Sequence, residues 1–364
     1  MLDKAQQLRP FSCSFTPNLP ELLQQLNCSI ALSTFQAGKV IFISPKNENE
    51  LIQVTRTFQS PMGLAINEDK LAIATKSEVI VTKNSPSLAT AYPKFPNTYD
   101  SFFMPMATYY TGQVDLHDLH YVENKLWAVN TSFSCLCTID DEFSFTPRWQ
   151  PSFITELKSE DRCHLNGLAV SDGKLRYVSG LGSGNAMQSW RENITEGGII
   201  IDIESNEIIA KGLAMPHSPR VYDGKLYVLL SAAQKLVQID PTNGQVTDVA
   251  FIPGFVRGMA KIGDYLFVAT SKLRKNSSTF KHLAIADEAN EATVSAVHLP
   301  SGAVVSKLTY HMSVDEIYDV QVLENSIRPN IANTLKDTHL RGLITPEETY
   351  WAAENQPTNP SQNQ

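Results

Sequence analysis

The sequence predicts an all-β protein, a six-bladed β-propeller, and three observations carry that reading. A short strand-like run recurs six times, as Gly63-Leu-Ala-Ile66, Asp118-Leu-His-Tyr121, Gly167-Leu-Ala-Val170, Ser218-Pro-Arg-Val221, Gly258-Met-Ala-Lys261 and Asp319-Val-Gln-Val322. The first five lead through a small polar turn, such as Asp172-Gly173 or Gly263-Asp264, into an apolar strand opening on Leu71, Leu126, Leu175, Leu226 or Leu266. The unit returns every roughly 40–60 residues, a period that belongs to propeller blades built of short strands.

Taken in order, residues 1–27 read as an N-terminal arm with a short helix around Leu19–Leu26. Three strands then precede the first repeat, at Ser29–Ser33, Lys39–Ile43 and Leu51–Thr57. The sixth repeat, at Asp319, has no partner strands after it, because the chain runs on into Ser326-Ile-Arg-Pro-Asn330. Three N-terminal strands and one C-terminal strand complete a last blade and close the ring, which removes the free edges of an open one. The propeller is expected over residues 28–326 and a C-terminal extension over 327–364, disordered from Gln356 onward where Asn, Gln and Pro dominate.

Composition narrows the function classes. A net charge of −8 and a pI near 5.5 argue against nucleic acid, whose phosphates require a basic stripe. The start of the chain lacks the pattern of a secretory signal, and no run has the length of a membrane span. The five cysteines are odd in number and lack framework spacing, so reduced thiols and a cytoplasmic setting are expected. Cys135 and Cys137 share a strand face but have no second pair with which to hold zinc.

The candidate site follows from the ring. The residue before each repeat reaches the mouth of the central channel, and these are Met62, His117, Asn166, His217, Arg257 and Tyr318. Two residues earlier, on the same side of an extended chain, lie Ser60, Asp115, His164, Met215, Phe255 and Glu316. His117, His217 and Tyr318 come from alternate blades and would surround the axis, with His164 and Glu316 above them. Three insertions, Pro93–Val114, Gly180–Gly198 and Leu273–Thr293, are expected to cover the same front face with Tyr109, Trp190 and Arg274. Every propeller has an axis that something must line, so polar groups there also fit a plain water-filled channel.

Two local motifs sharpen the expectation. Met215-Pro-His-Ser-Pro-Arg220 sets His217 between prolines in a stiff segment, with Arg220 on the same inner strand. Pro253-Gly-Phe-Val-Arg-Gly-Met259 brings Arg257 to the mouth, where it suits an anion or pairs with Glu316. Gly180-Leu-Gly-Ser-Gly184 lacks the Lys-Ser/Thr of a phosphate loop, so no nucleotide cofactor is expected.

With MPHSPR, the Arg257-Gly258 pair, Ser271-Lys-Leu-Arg274 and Glu316-Ile-Tyr-Asp-Val320, the chain resembles a bacterial propeller family of unknown function. That family is frequent in cyanobacteria and proteobacteria and is sometimes fused to tetratricopeptide repeats. The six-blade layout is more distantly similar to the superfamily of strictosidine synthase, gluconolactonase and paraoxonase, which implies a non-redox site on the axis. Here histidines and an arginine replace that superfamily's Glu/Asn/Asp calcium set.

The resulting expectation is a non-redox enzyme, a hydrolase, lyase, isomerase or cyclase, acting on a small polar or anionic metabolite. His217, His117, Glu316, Arg257 and Tyr318 are its expected catalytic groups. Asn166, Trp190, Arg220, Arg274 and Tyr109 are expected to bind substrate, and His117, His164 and His217 to hold one divalent metal ion on the axis. The alternative is a non-catalytic scaffold that binds a protein or peptide through the aromatic loop at Tyr99–Tyr110.

Overall fold

The structure, a computed structural model, describes residues 9–273, 280 and 283–353. Six antiparallel sheets surround one axis, and each begins with one of the repeated runs as its innermost strand. Blade 1 opens with Leu64–Asn67, blade 2 with Leu116–Val122 and blade 3 with Leu165–Ser171. Blade 4 opens with Pro216–Tyr222, blade 5 with Phe255–Ile262 and blade 6 with Asp319–Glu324. In blade 6 that C-terminal strand pairs with Cys28–Thr34, followed outward by Lys39–Asn47 and Glu50–Thr57, so the two ends of the chain close the ring as the sequence predicts.

Both ends also reach past the closing blade. Cys13–Phe15 adds antiparallel to the outer strand Ala303–Tyr310 of blade 5. Pro329–Ile331 adds parallel to the outer strand Ser101–Tyr110 of blade 1. Between arm and ring sits the helix Leu19–Gln25, whose Leu19, Leu22 and Leu23 recur at one-face spacing and are buried between blades 5 and 6.

Each blade interface has its own apolar cluster, as alternation along the strands requires. Leu136 and Val129 meet Leu168 and Val178 between blades 2 and 3, and Leu229 meets Met259 and Leu266 between blades 4 and 5. Toward the axis the blades approach more closely. The first residue of the six runs alternates Gly63, Asp118, Gly167, Ser218, Gly258, Asp319. A Cβ at Gly258, whose φ is +76°, would stand 2.8 Å from the Asp319 Cα, and one at Gly63 would stand 2.9 Å from the Asp118 Cα. The intervening residues use their side chains to join one blade to the next. Asp319 accepts from the Leu64 amide, Asp118 from Leu168 and Ser218 from Gly258, at 2.8, 2.9 and 3.1 Å.

One insertion lies elsewhere than the sequence suggests. Most of Pro93–Val114 is the outer strand of blade 1, and the connection into it leaves from the third strand, on the face opposite the channel mouth. Phe102 and Phe103 are buried, and Phe102 packs with Tyr92, Tyr99 and Trp351 as an aromatic cluster on the side of the ring. Tyr109 pairs with Val79 within the sheet. Much of the aromatic density therefore serves the packing of blade 1, while Tyr110 stays exposed at the end of its outer strand.

Candidate functional site

The front ends of the inner strands enclose a cavity of about 610 Å³. It gathers His117, His164, His217, Arg257, Glu316, Tyr318 and Trp190 from the residues anticipated, together with Asp115, Arg191 and Lys272. Phe35, Met62, Leu181, Met215, Phe255, Leu273 and Phe280 supply apolar wall. Trp190 stands on a short 3₁₀ turn in the Gly180–Gly198 insertion and is buried against Leu181, Met215 and Phe255.

In blades 1 to 4 the chain before the inner strand is not extended as the sequence reading assumes. Ser60, Asp115, His164 and Met215 all take left-handed backbone, with φ between 47° and 57°. The repeated bend still delivers Asp115, His164 and Met215 to the cavity wall. In blade 3 a bulge falls between Leu165 and Gly167. There Asn166 accepts from Ser179 Oγ at 2.6 Å and does not line the cavity, while His164, two residues earlier, does.

His117 and His217 are held in the same way. His117 Nδ1 lies 3.1 Å from the Asp115 carbonyl and 2.8 Å from Thr131 Oγ1, whose proton goes to the Leu165 carbonyl at 2.5 Å. His217 Nδ1 lies 3.0 Å from the Met215 carbonyl and 2.8 Å from Ser231 Oγ, which donates to the Val256 carbonyl at 2.6 Å. A hydroxyl that has given its proton to a carbonyl can only accept from the imidazole. Each Nδ1 therefore carries hydrogen, and each ring is left with the Nε2 lone pair to offer the cavity. Thr131 and Ser231 were missed in the sequence reading, although each follows its histidine by the same 14 residues.

Arg257 is built differently. Its guanidinium carbon lies 3.5 Å from the centroid of the Tyr318 ring, a stacked cation–π contact. Glu316 stands 3.9 Å away, too far for a hydrogen bond, so stacking rather than close pairing fixes the guanidinium. The Tyr318 hydroxyl is buried with no hydrogen-bond partner among the described residues, and burial holds it far above the usual phenol range. Tyr318 thus provides the platform on which Arg257 stacks. Lys272 at the rim is paired with Asp315 at 2.7 Å.

Three anticipated substrate contacts lie outside this cavity. Arg220 forms a buried two-pronged pair with Asp118, at 2.8 and 3.1 Å, deeper along the axis. Asn166 and Tyr109 sit within their blades, as described above, and Arg274 lies outside the described residues. Among the described residues no three His, Cys, Asp or Glu side chains come together as a group able to hold a metal ion, so His117, His164 and His217 do not form the expected ligand set. No helix among the described residues is long and apolar enough to cross a membrane.

Burial, aided by Arg257 and His164, pushes both His117 and His217 well below the usual imidazole range. On the far side of the Arg220 pair, burial and Arg220 pull His120 down to about 4. For such groups the unfolded chain binds more protons below about pH 6.5, so stability is lost as pH falls through that value. Asp319, raised to about 6 by burial beside Asp118, acts in the opposite sense between about pH 4 and 6. With three histidines against one carboxylate, the thermal midpoint is expected to drop between pH 7 and 5. In His217→Gln the drop should be smaller, as measured by thermal denaturation across that range.

A protein of unknown function from Bacteroides caccae superposes with a TM-score of 0.50 at 10% identity, over 81% of this chain and 98% of that one. A chain of the nidogen/laminin complex gives 0.48 at 11% identity, over 82% and 99%. At 10% identity the Bacteroides caccae likeness bears on fold alone. A search of curated proteins found no match. Residues 17–332 match the family described as "Domain of unknown function (DUF4915)", and the chain belongs to that family.

Proposed function

We propose that the protein is a non-redox enzyme acting on a small anionic metabolite, a carboxylate above all, bound in the axial cavity. The observation that carries this reading is Arg257, stacked on Tyr318 in a cavity with histidines whose free ring atom is a hydrogen-bond acceptor. A guanidinium held flat keeps its N–H edge available, and that edge matches a carboxylate two-pronged. His117 and His217 then accept hydrogen bonds through Nε2 from a hydroxyl or amino group on the same molecule. The apolar wall accommodates its body, and the volume falls within the ordinary range of small-molecule sites. Acid–base chemistry by histidine serves hydrolysis, elimination, isomerisation and cyclisation alike.

The test is thermal unfolding with a panel of small carboxylates and their uncharged amides. Ligand at 100 times its Kd stabilises by about 2.7 kcal/mol, which is readily seen as a rise in midpoint. Carboxylates are expected to raise the midpoint and the matching amides to leave it unchanged. Equal stabilisation by both members of each pair would contradict an anion site.

A further inference from the structure

The three histidines of the cavity do not have equivalent partners. Behind His117 and His217 stands a neutral relay, hydroxyl to backbone carbonyl, which cannot balance a positive charge. Behind His164 stands a carboxylate. Both oxygens of Asp161 lie 3.0 Å from His164 Nδ1, and Oδ2 also accepts from Trp190 Nε1 at 3.0 Å. The Trp190 ring lies against the imidazole with centroids 4.3 Å apart, and Arg191 covers Trp190 at 4.4 Å. Asp161 and His164 are both in left-handed backbone, with φ of 46° and 49°, so the short segment between them is turned to bring the two side chains together. Asp161 is further tied by its amide to the Ser132 carbonyl at 2.9 Å.

We propose that His164, oriented by Asp161 and Trp190, is the proton-transfer group of this cavity, and that His117 and His217 serve as hydrogen-bond acceptors that position the ligand. The proposal rests on the reading of the cavity as an enzyme site. His164 Nε2 removes a proton from an O–H or C–H of the ligand, and the electron pair stays on the ligand atom. The imidazolium that forms is stabilised by the Asp161 carboxylate, and the proton is returned to the product or leaving group. Asp161 is then a positioning residue, because it acts only through His164.

The ring is surrounded by Asp161, Trp190 and His117, the last with centroids 5.0 Å away, with Arg191, Arg257 and His217 beyond and Cys163 adjacent in sequence. Imidazole nitrogen NMR on the full chain without ligand tests the assignment, with His164 identified by the signals lost in His164→Gln. In its neutral form His164 is expected as the Nδ1–H tautomer, with the hydrogen on the nitrogen that faces Asp161. In Asp161→Ala that preference should be lost, while His117 and His217 remain Nδ1–H rings in both proteins. An Nε2–H tautomer at His164 in the native chain, or an Nδ1–H tautomer kept unchanged in Asp161→Ala, would overturn the proposal. Should Asp161→Ala fail to fold, Trp190→Phe, which removes the indole donor to Asp161 and trims the ring stacked on His164, is expected to shift the His164 Nδ1 resonance, and an unmoved resonance would overturn it. Failure of carboxylates to bind would leave these spectra as described, so the two readings fail separately.

Discussion

Asp118→Ala is expected to unfold the protein or to leave it only marginally stable. Asp118 is buried and accepts four hydrogen bonds, two from Arg220 and one each from the amides of Leu119 and Leu168. Removing one partner of a buried ion pair costs about 3–5 kcal/mol, because the other charge is left without compensation. Two amides lose an acceptor as well, at about 1–3 kcal/mol each where no water replaces it. Against a typical total of about 5–15 kcal/mol, little remains. Denaturant unfolding should show a loss above about 4 kcal/mol, and Asp118→Leu combined with Arg220→Met should recover a large part of it. A loss below about 1 kcal/mol would mean that this pair is not what joins blades 2 and 4 across the axis.

The second large effect is on binding. Arg257→Gln keeps a polar but shorter side chain and removes the charge and the guanidinium plane. Loss of a desolvated charge partner costs about 2–5 kcal/mol, or roughly 30-fold to several thousand-fold in Kd. Arg257→Lys keeps the charge without the planar fork, and it is expected to restore only part of the affinity. Titration calorimetry with any carboxylate from the panel that stabilises the native chain measures both variants. Since Arg257 is exchanged on the cavity wall, unfolding of the ligand-free variant should change little.

Much of the ring was legible because its causes are local. The polar turns, the apolar runs after them and the glycine or small polar residue at each start all recur in sequence. The unequal strand counts at the two ends gave the closing blade. Residues just before each repeat led to His117, His217, Arg257 and Tyr318 for the same reason: strand geometry places them without reference to anything distant.

What escaped depends on pairs far apart in the chain or on backbone bends. Arg220 reads as a ligand contact until Asp118, 102 residues earlier, is seen beneath it. Asn166 is held by Ser179 within blade 3, a contact made across the sheet to a residue 13 positions later, and so does not line the cavity. Asp161 lies three residues before His164, a separation that brings side chains together only because both backbones turn left-handed. The aromatic run ending at Tyr110 has the density of a binding loop, yet residues 101–110 are the outer strand of blade 1, paired to the strand before it. Thr131 and Ser231 were recoverable, since their constant spacing from the histidines repeats like the blades themselves.

The central claim is that the axial cavity selects a carboxylate through Arg257. Its most direct measurement is mass spectrometry of the small molecules that the purified protein retains after exposure to a deproteinised bacterial extract and gel filtration. The expected result is one or a few carboxylate-bearing compounds released from the wild-type chain and absent from Arg257→Gln. The same compounds on both proteins, or retained molecules without an anionic group, would contradict it.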